Sequence, residues 1–210
     1  MTARDEVLDR IRGALGPTPA IPNVPRAYRG AGASDAEGVV ELFCERLTEY
    51  QATVTRLAWA DLGVTVARLA EERGARRIAV PPRGPDVPPG LEMIVDDPPL
   101  SPRALDQVDG VLTGCALAIA ETGTIVLDGG ARSGRRALTL LPDWHVCVVD
   151  ESSVVAGVPD AIAALAPAAT EGRPITLVSG PSATSDIELE RVEGVHGPRT
   201  LDVLVLAAPG

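Results

Sequence analysis

Aromatic residues are nearly missing: two Trp, two Tyr and one Phe make up 2% of 210 residues. The core must therefore be packed from Val, Leu, Ile and Ala, and the branched aliphatics among them favour sheets. Cysteine is scarce as well. Cys44, Cys115 and Cys147 are far apart, odd in number and without a C-x-x-C spacing, so the chain has no recognisable ligand set for zinc or an iron–sulfur cluster. Their apolar neighbours make buried thiols the expectation. Positive charge is in deficit, and a formal charge of -10 argues against a nucleic-acid partner, whose phosphates need Lys and Arg. No stretch approaches the roughly twenty apolar residues of a membrane span. The N-terminus reads as a charged helix rather than a signal peptide, which places the protein in the cytoplasm. Also missing are G-x-G-x-x-G after a strand, G-x-x-x-x-G-K-[ST], G-x-S-x-G and H-E-x-x-H. The usual forms of dinucleotide binding, nucleotide hydrolysis and serine hydrolysis lose ground accordingly.

Gly and Pro are plentiful, 21 and 19, which suits a sheet protein with tight connections. Residues 3–15 have helical periodicity, with Val7, Leu8, Ile11 and Leu15 on one side. Gly16 ends that helix, and Pro17, Pro19, Pro22 and Pro25 keep the following chain extended. Residues 1–32 thus form a helical arm and linker, and residues 33–210 an α/β domain. The arm either packs on a partner or a distant surface, or docks on its own domain; a homo-oligomer is a separate expectation. A second helix is expected to Tyr50, with Val39, Leu42, Phe43, Leu47 and Tyr50 as its apolar stripe. Strands are expected at 52–57, 77–80, 91–95, 108–113, 145–149, 175–178 and 201–206, with helices at 61–73 and 159–165. Residues 116–120 and 124–127 form two strands or one bent strand around Glu121-Thr122-Gly123. Residues 129–136 read as a basic loop. Strands separated by helices argue for a mostly parallel sheet covered on both faces. Ligands of such sheets gather at strand carboxyl ends, where the loops after Val80, Thr113, Leu127 and Val178 are expected to converge.

Two segments near the end are rich in special residues: Gly180-Pro181-Ser182-Ala183-Thr184-Ser185-Asp186-Ile187-Glu188 and Gly194-Val195-His196-Gly197-Pro198-Arg199. Loops of this composition between core strands position chemistry or a ligand. The hydroxyls of Ser182, Thr184 and Ser185 suit ligand contact, although Ser185 with Glu188 also fits a capping box. Asp186 and Glu188 disfavour phosphate there. His196 titrates in the range needed for proton transfer, or ties loops together through its ring nitrogens. Arg199 is a fork for a carboxylate, or a partner for Asp186 or Glu188. His145, beside Trp144, reads as structural. Glu121, at a glycine turn in an apolar run, is either a general base or nucleophile, or a turn carboxylate accepting backbone hydrogen bonds. Arg136 is placed to meet a substrate carboxylate, or is a solvated charge.

These two segments, together with Ala120-Glu121-Thr122-Gly123-Thr124 and Leu140-Leu141-Pro142-Asp143-Trp144-His145, resemble the lactate utilization protein C family, which consists of a LUD domain. The resemblance runs from the first helix to the last strand. It implies a layered α/β sandwich with a mostly parallel sheet, similar to glucosamine-6-phosphate deaminase, ribose-5-phosphate isomerase and the CoA transferases. It further implies a component of an L-lactate utilization system, acting with two iron–sulfur proteins in the oxidation of L-lactate to pyruvate. The clusters then reside in the partners, and this chain carries no cofactor or metal. A small carboxylate is the expected ligand. By analogy with CoA transferases of similar fold, Glu121 invites the role of nucleophile. The resemblance directs attention to Glu121 and His196 as catalytic, and to Thr122, Gly123, Thr124, Arg136, Gly180, Pro181, Ser182, Thr184, Ser185, Asp186, Glu188, Gly197 and Arg199 as binding residues. The alternative is a stand-alone enzyme on a phosphorylated sugar, folate or acyl-CoA, using Glu121 and His196.

Overall fold

The computed structural model describes residues 2–17, 23–27, 36–86, 88–184, 192–193 and 197–207. The arm helix α1 (Ala3–Leu15) begins at a reciprocal cap. Asp5 N–H donates to Thr2 Oγ1 at 3.3 Å and Thr2 N–H donates to the Asp5 carboxylate at 2.9 Å. None of its residues is buried, and Val7, Ile11 and Leu15 are all about half exposed.

The body starts with α2 (Ala36–Glu49), which leads to strand β1 (Thr53–Leu57) and helix α3 (Leu62–Arg73). Gly74, left-handed at φ 66°, ends α3. Strands β2 (Arg77–Val80), β3 (Glu92–Val95) and β4 (Gly110–Gly114) follow, with the short helix α4 (Pro102–Leu105) between the last two. Next come β5 (Leu117–Ile119), β6 (Thr124–Leu127), helix α5 (Arg136–Leu140) and β7 (Trp144–Asp150). The chain continues through β8 (Val154–Val155), α6 (Val158–Ala164), α7 (Ala166–Thr170) and β9 (Thr176–Val178). Two-residue strands β10 (Ala183–Thr184) and β11 (Val192–Glu193) precede the last strand, β12 (Thr200–Leu206).

Six strands in the order β1-β12-β7-β4-β2-β3 form an entirely parallel sheet. Its central strand β7 alternates in what it meets. Trp144, Val146 and Val148 pack with Leu62, Val66, Leu69 and Ala70 of α3. Cys147 and Val149 point the other way, into a core with Val39, Val40, Phe43 and Leu47 of α2. Both faces being covered explains why Val146–Val149 of β7 and Val203–Leu206 of β12 read as continuous apolar runs rather than alternating ones.

A second sheet, β8-β5-β6-β9, packs into the α2 core through Ala118 and Ile125. Its outer face carries Leu117, Ile119 and Val126 against Ala161 and Leu165 of α6 and its end. The segments around Glu121 are thus two strands paired antiparallel, Ile119 opposite Thr124, while β8 joins β5 in parallel.

Some expectations need correction. Within α2 the buried stripe is Val39, Val40, Phe43 and Leu47, whereas Tyr50 lies past the helix end and is 54% exposed. Leu42 is partly buried against the same core, and Val40 joins the stripe. The last residue of the basic loop, Arg136, opens helix α5, which is held down by fully buried Leu138. Cys115 and Cys147 are buried as expected, but Cys44 is only half-buried. A hydrogen bond with Cys115, followed by burial, raises the Cys147 thiol well above its usual range. Among the described residues no helix is long and apolar enough to cross a membrane.

Candidate functional site

The turn between β5 and β6 closes through Gly123 N–H donating to Ala120 C=O at 3.1 Å. Gly123 sits at φ 54°, and a Cβ there would lie 2.6 Å from Arg46 Cβ and 2.8 Å from Leu47 N. Glycine is required twice over, by backbone conformation and by the closeness of α2. The turn aims its threonines at the β9 loop. Thr122 Oγ1 and Thr124 Oγ1 are 2.7 Å apart, and Thr124 Oγ1 is 2.7 Å from Ser179 Oγ. These three hydroxyls form a chain that ends on the wall of a cavity of about 560 Å³.

Glu121 takes a different direction. Its N–H donates to Ala156 C=O at 3.1 Å. Its Oε2 is 3.2 Å from where a Cβ on Gly157 would stand. The carboxylate thus lies toward the β8–α6 connection and does not line the cavity.

The cavity opens at the amino ends of β7 and β12. Its lining includes Arg136 and Leu140 of α5, His145, the segment Thr176–Ser182, and Gly197, Pro198 and Leu201. The two proline-bearing segments singled out in the sequence meet here, since Ser182 N–H donates to Pro198 C=O at 2.8 Å. Gly180, at φ 145°, passes so close to α2 that a Cβ would stand 2.5 Å from Tyr50 C=O. This contact fixes the far wall against the end of α2.

Neighbouring arginines have different tasks. Arg135 is spent on structure: its Nε and Nη2 donate to the buried Asp96 carboxylate at 2.7 and 3.0 Å. Arg136, one residue on, lines the cavity, and it makes no ion pair among the described residues. Arg199 is turned outward, donating to Asp143 Oδ2 at 3.3 Å with both side chains more than 60% exposed. It is therefore paired with Asp143 and is not in the cavity lining.

His145 forms part of the floor. It is 2% exposed, and its Nε2 shares a 2.8 Å hydrogen bond with the Thr113 hydroxyl. Burial pushes its imidazole down from 6.5 to about 4, so it is neutral at neutral pH. Arg136 is then the one formally charged side chain among the described lining residues. Such a cavity favours an anion, and its hydroxyls and backbone amides suit a small polar one.

Thr184 lies in β10, its backbone paired with Val192. Ser185, Asp186, Glu188 and His196 lie outside the described residues. The loops after Val80, Thr113 and Leu127 do meet at the carboxyl ends of the parallel strands, through Arg83 N–H to Ala131 C=O at 3.1 Å and Gly114 N–H to Arg132 C=O at 3.0 Å. The loop after Val178 does not join them. Strand β9 belongs to the second sheet, antiparallel to β6, so its carboxyl end delivers the chain to the opposite end of the main sheet. Tyr50 and Thr139 complete the wall without any sequence signal of a site, because each lies at an otherwise ordinary helix end, whereas Leu140 opens the Leu140–His145 motif. Among the described residues no group of three or more His, Cys, Asp or Glu side chains is arranged to hold a metal ion.

Residues 102–206, from α4 to the end of β12, match the LUD domain. Over 208 residues the chain is 47% identical to a lactate utilization protein C of Deinococcus radiodurans, covering 97% of this chain and 95% of that one. A lactate utilization protein C of Geobacillus kaustophilus is 26% identical over 234 aligned positions, covering 97% and 95%. The crystal structure of a DUF162 family protein from Deinococcus radiodurans superposes with a TM-score of 0.72 at 40% identity, covering 83% of this chain and 99% of that chain. With the mostly parallel α/β architecture and nearly full-length identity in agreement, the chain belongs to the LUD domain family of lactate utilization C proteins.

Proposed function

We propose that this protein is a cytoplasmic subunit of an L-lactate utilization system, binding a small carboxylate in the Arg136 cavity. It acts with two iron–sulfur partner proteins in the oxidation of L-lactate to pyruvate. The observation that carries this reading is the 47% identity, along almost the whole chain, to a relative named lactate utilization protein C. The cavity chemistry supports it. A guanidinium with no ion pair among the described residues can fork a carboxylate through two parallel N–H donors. Ser179, the cavity-lining end of the Thr122–Thr124–Ser179 hydroxyl chain, offers a donor and an acceptor to a neighbouring hydroxyl of the same ligand. Clusters held in the partners would supply the electron acceptor, while this chain shapes the binding site.

The test is L-lactate-dependent reduction of an artificial acceptor by the purified chain, alone and mixed with its two partners. Activity is expected in the mixture alone. Arg136→Ala should lower it at limiting lactate by about ten- to a hundredfold, the worth of a charge-assisted hydrogen-bonded pair, with an unchanged circular dichroism spectrum. Full activity of the partners without this chain, or an Arg136→Ala variant as active as the parent, refutes the proposal.

A further inference from the structure

A second and larger cavity, about 840 Å³, opens at the other end of the main sheet. The chain leaves β2 outward to β3 and then returns across β2 to β4, so connections diverge from the carboxyl ends of β2 and β4. Divergence of this kind leaves a crevice, the usual place for a ligand in an open parallel sheet. Trp59 and Leu62 line it from the β1–α3 connection, Arg83 and Asp86 from the loop after β2, and Arg132 from the loop after β6. None of the residues expected from sequence to bind substrate lies in it.

Both arginines are set in place by the backbone. Arg83 N–H donates to Ala131 C=O at 3.1 Å, which holds Arg83 beside Arg132. Arg132 C=O accepts from Gly114 N–H at 3.0 Å, and its guanidinium lies over Gly114, where a Cβ would come within 3.2 Å of Nε. One edge of that guanidinium donates to Asp150 Oδ2 at 2.8 Å, while its side chain stays 52% exposed. Arg83 has no ion pair among the described residues. The loop that carries it contains Pro81, Pro82, Pro85, Pro88 and Pro89. Prolines fix φ, so little chain entropy remains to be lost when a ligand binds. The chain has no lysine, and every cationic side chain is therefore a fork suited to phosphate.

The rest of the wall is apolar and includes a flat face. Trp59 is 47% exposed, one of only two tryptophans, and sits with Leu62 and Pro88. Asp86 repels a bare anion but accepts from hydroxyl groups. The volume lies in the range of pockets for cofactor-sized ligands, far beyond what a three-carbon acid fills.

We propose that this crevice binds a nucleoside phosphate, with the phosphate on Arg83 and Arg132, the base against Trp59, and sugar hydroxyls toward Asp86. It is a site separate from the Arg136 cavity and independent of the lactate reading.

The experiment is titration of the full chain with ADP, adenosine and inorganic phosphate, followed by calorimetry and tryptophan fluorescence. ADP is expected to bind saturably and to change the fluorescence, with adenosine and inorganic phosphate each at least about tenfold weaker. Arg83→Ala, on an exposed loop, should weaken ADP about tenfold, and Trp59→Leu should weaken it while removing the fluorescence change. Arg136→Ala should bind ADP like the parent, which keeps this site distinct from the other. No saturable ADP binding overturns the proposal. So does inorganic phosphate binding as tightly as ADP, since the indole wall then contributes nothing, or Arg83→Ala and Trp59→Leu both binding ADP like the parent.

Discussion

Lowering the pH should destabilise this protein through one buried imidazole, and the size of the loss follows from the structure. His145 is 2% exposed on β7, hydrogen-bonded to Thr113, and burial holds its imidazole at about 4 instead of 6.5. The folded state therefore binds its proton less readily than the unfolded chain. The contribution is fully present above pH 6.5, is lost as pH falls from there toward 4, and changes no further below 4, where both states are protonated. At about 1.36 kcal/mol per pH unit, the loss from this group is roughly 3 kcal/mol. A large part of a typical stability of about 5–15 kcal/mol is at stake. Urea unfolding of the parent and of His145→Gln between pH 7 and pH 4 isolates the effect, because glutamine retains a hydrogen-bonding amide but does not titrate. The parent should lose about 3 kcal/mol more than the variant across that window, whatever the carboxylates contribute to both. The chain has only two histidines, so imidazole NMR resolves the same titration directly. Parallel stability curves for parent and variant, or a His145 resonance titrating near 6.5, would refute the reasoning.

Two other substitutions follow from the same packing. Asp202 is 1% exposed on β12, and its Oδ2 accepts from Trp144 Nε1 at 2.6 Å and from Arg73 Nη2 at 2.8 Å, while the Arg73 guanidinium lies 5.2 Å from the indole centroid. Asp202→Ala leaves a buried indole N–H without its acceptor and should cost about 1–3 kcal/mol in chemical denaturation. A loss below about 1 kcal/mol would contradict that account. Gly123→Ala places a methyl group against Arg46 and forces a left-handed alanine, for a loss of about 1–3 kcal/mol. It should lower the melting temperature by several degrees, and an unchanged melting curve would mean that α2 and the turn are not in contact.

Much of the architecture could be read locally. Periodicity located α3 and Gly74 stopped it; the alternation of strands and helices announced a mostly parallel sheet covered on both faces; Glu121-Thr122-Gly123 marked a tight turn. Elements that escaped were those with weak local preference. Helix α5 is five residues long and begins among arginines, and it owes its existence to Leu138 reaching Leu105 and Val111 across the sheet face. Strand β8 is two residues long and becomes a strand only by pairing with β5, far away in sequence. The candidate site divided along the same line. The glycine- and proline-bearing segments were visible as special, and they do meet at Ser182 and Pro198. The sharing of labour between Arg135 and Arg136 was not visible, because only the buried Asp96 carboxylate distinguishes them.

By itself the sequence determined the fold class, the family, the aliphatic character of the core and the segments that carry special chemistry. These depend on composition, on periods of two and three to four residues, and on short motifs, all of which act over a few neighbouring positions. The tertiary structure alone decided which segments share a cavity. Strand β9 runs in a second sheet, antiparallel to its neighbour, and so delivers Ser179–Ser182 to the amino ends of β7 and β12 while the loops after β2, β4 and β6 gather at the opposite end. Strand pairing between residues dozens of positions apart sets that direction, and no local preference encodes it.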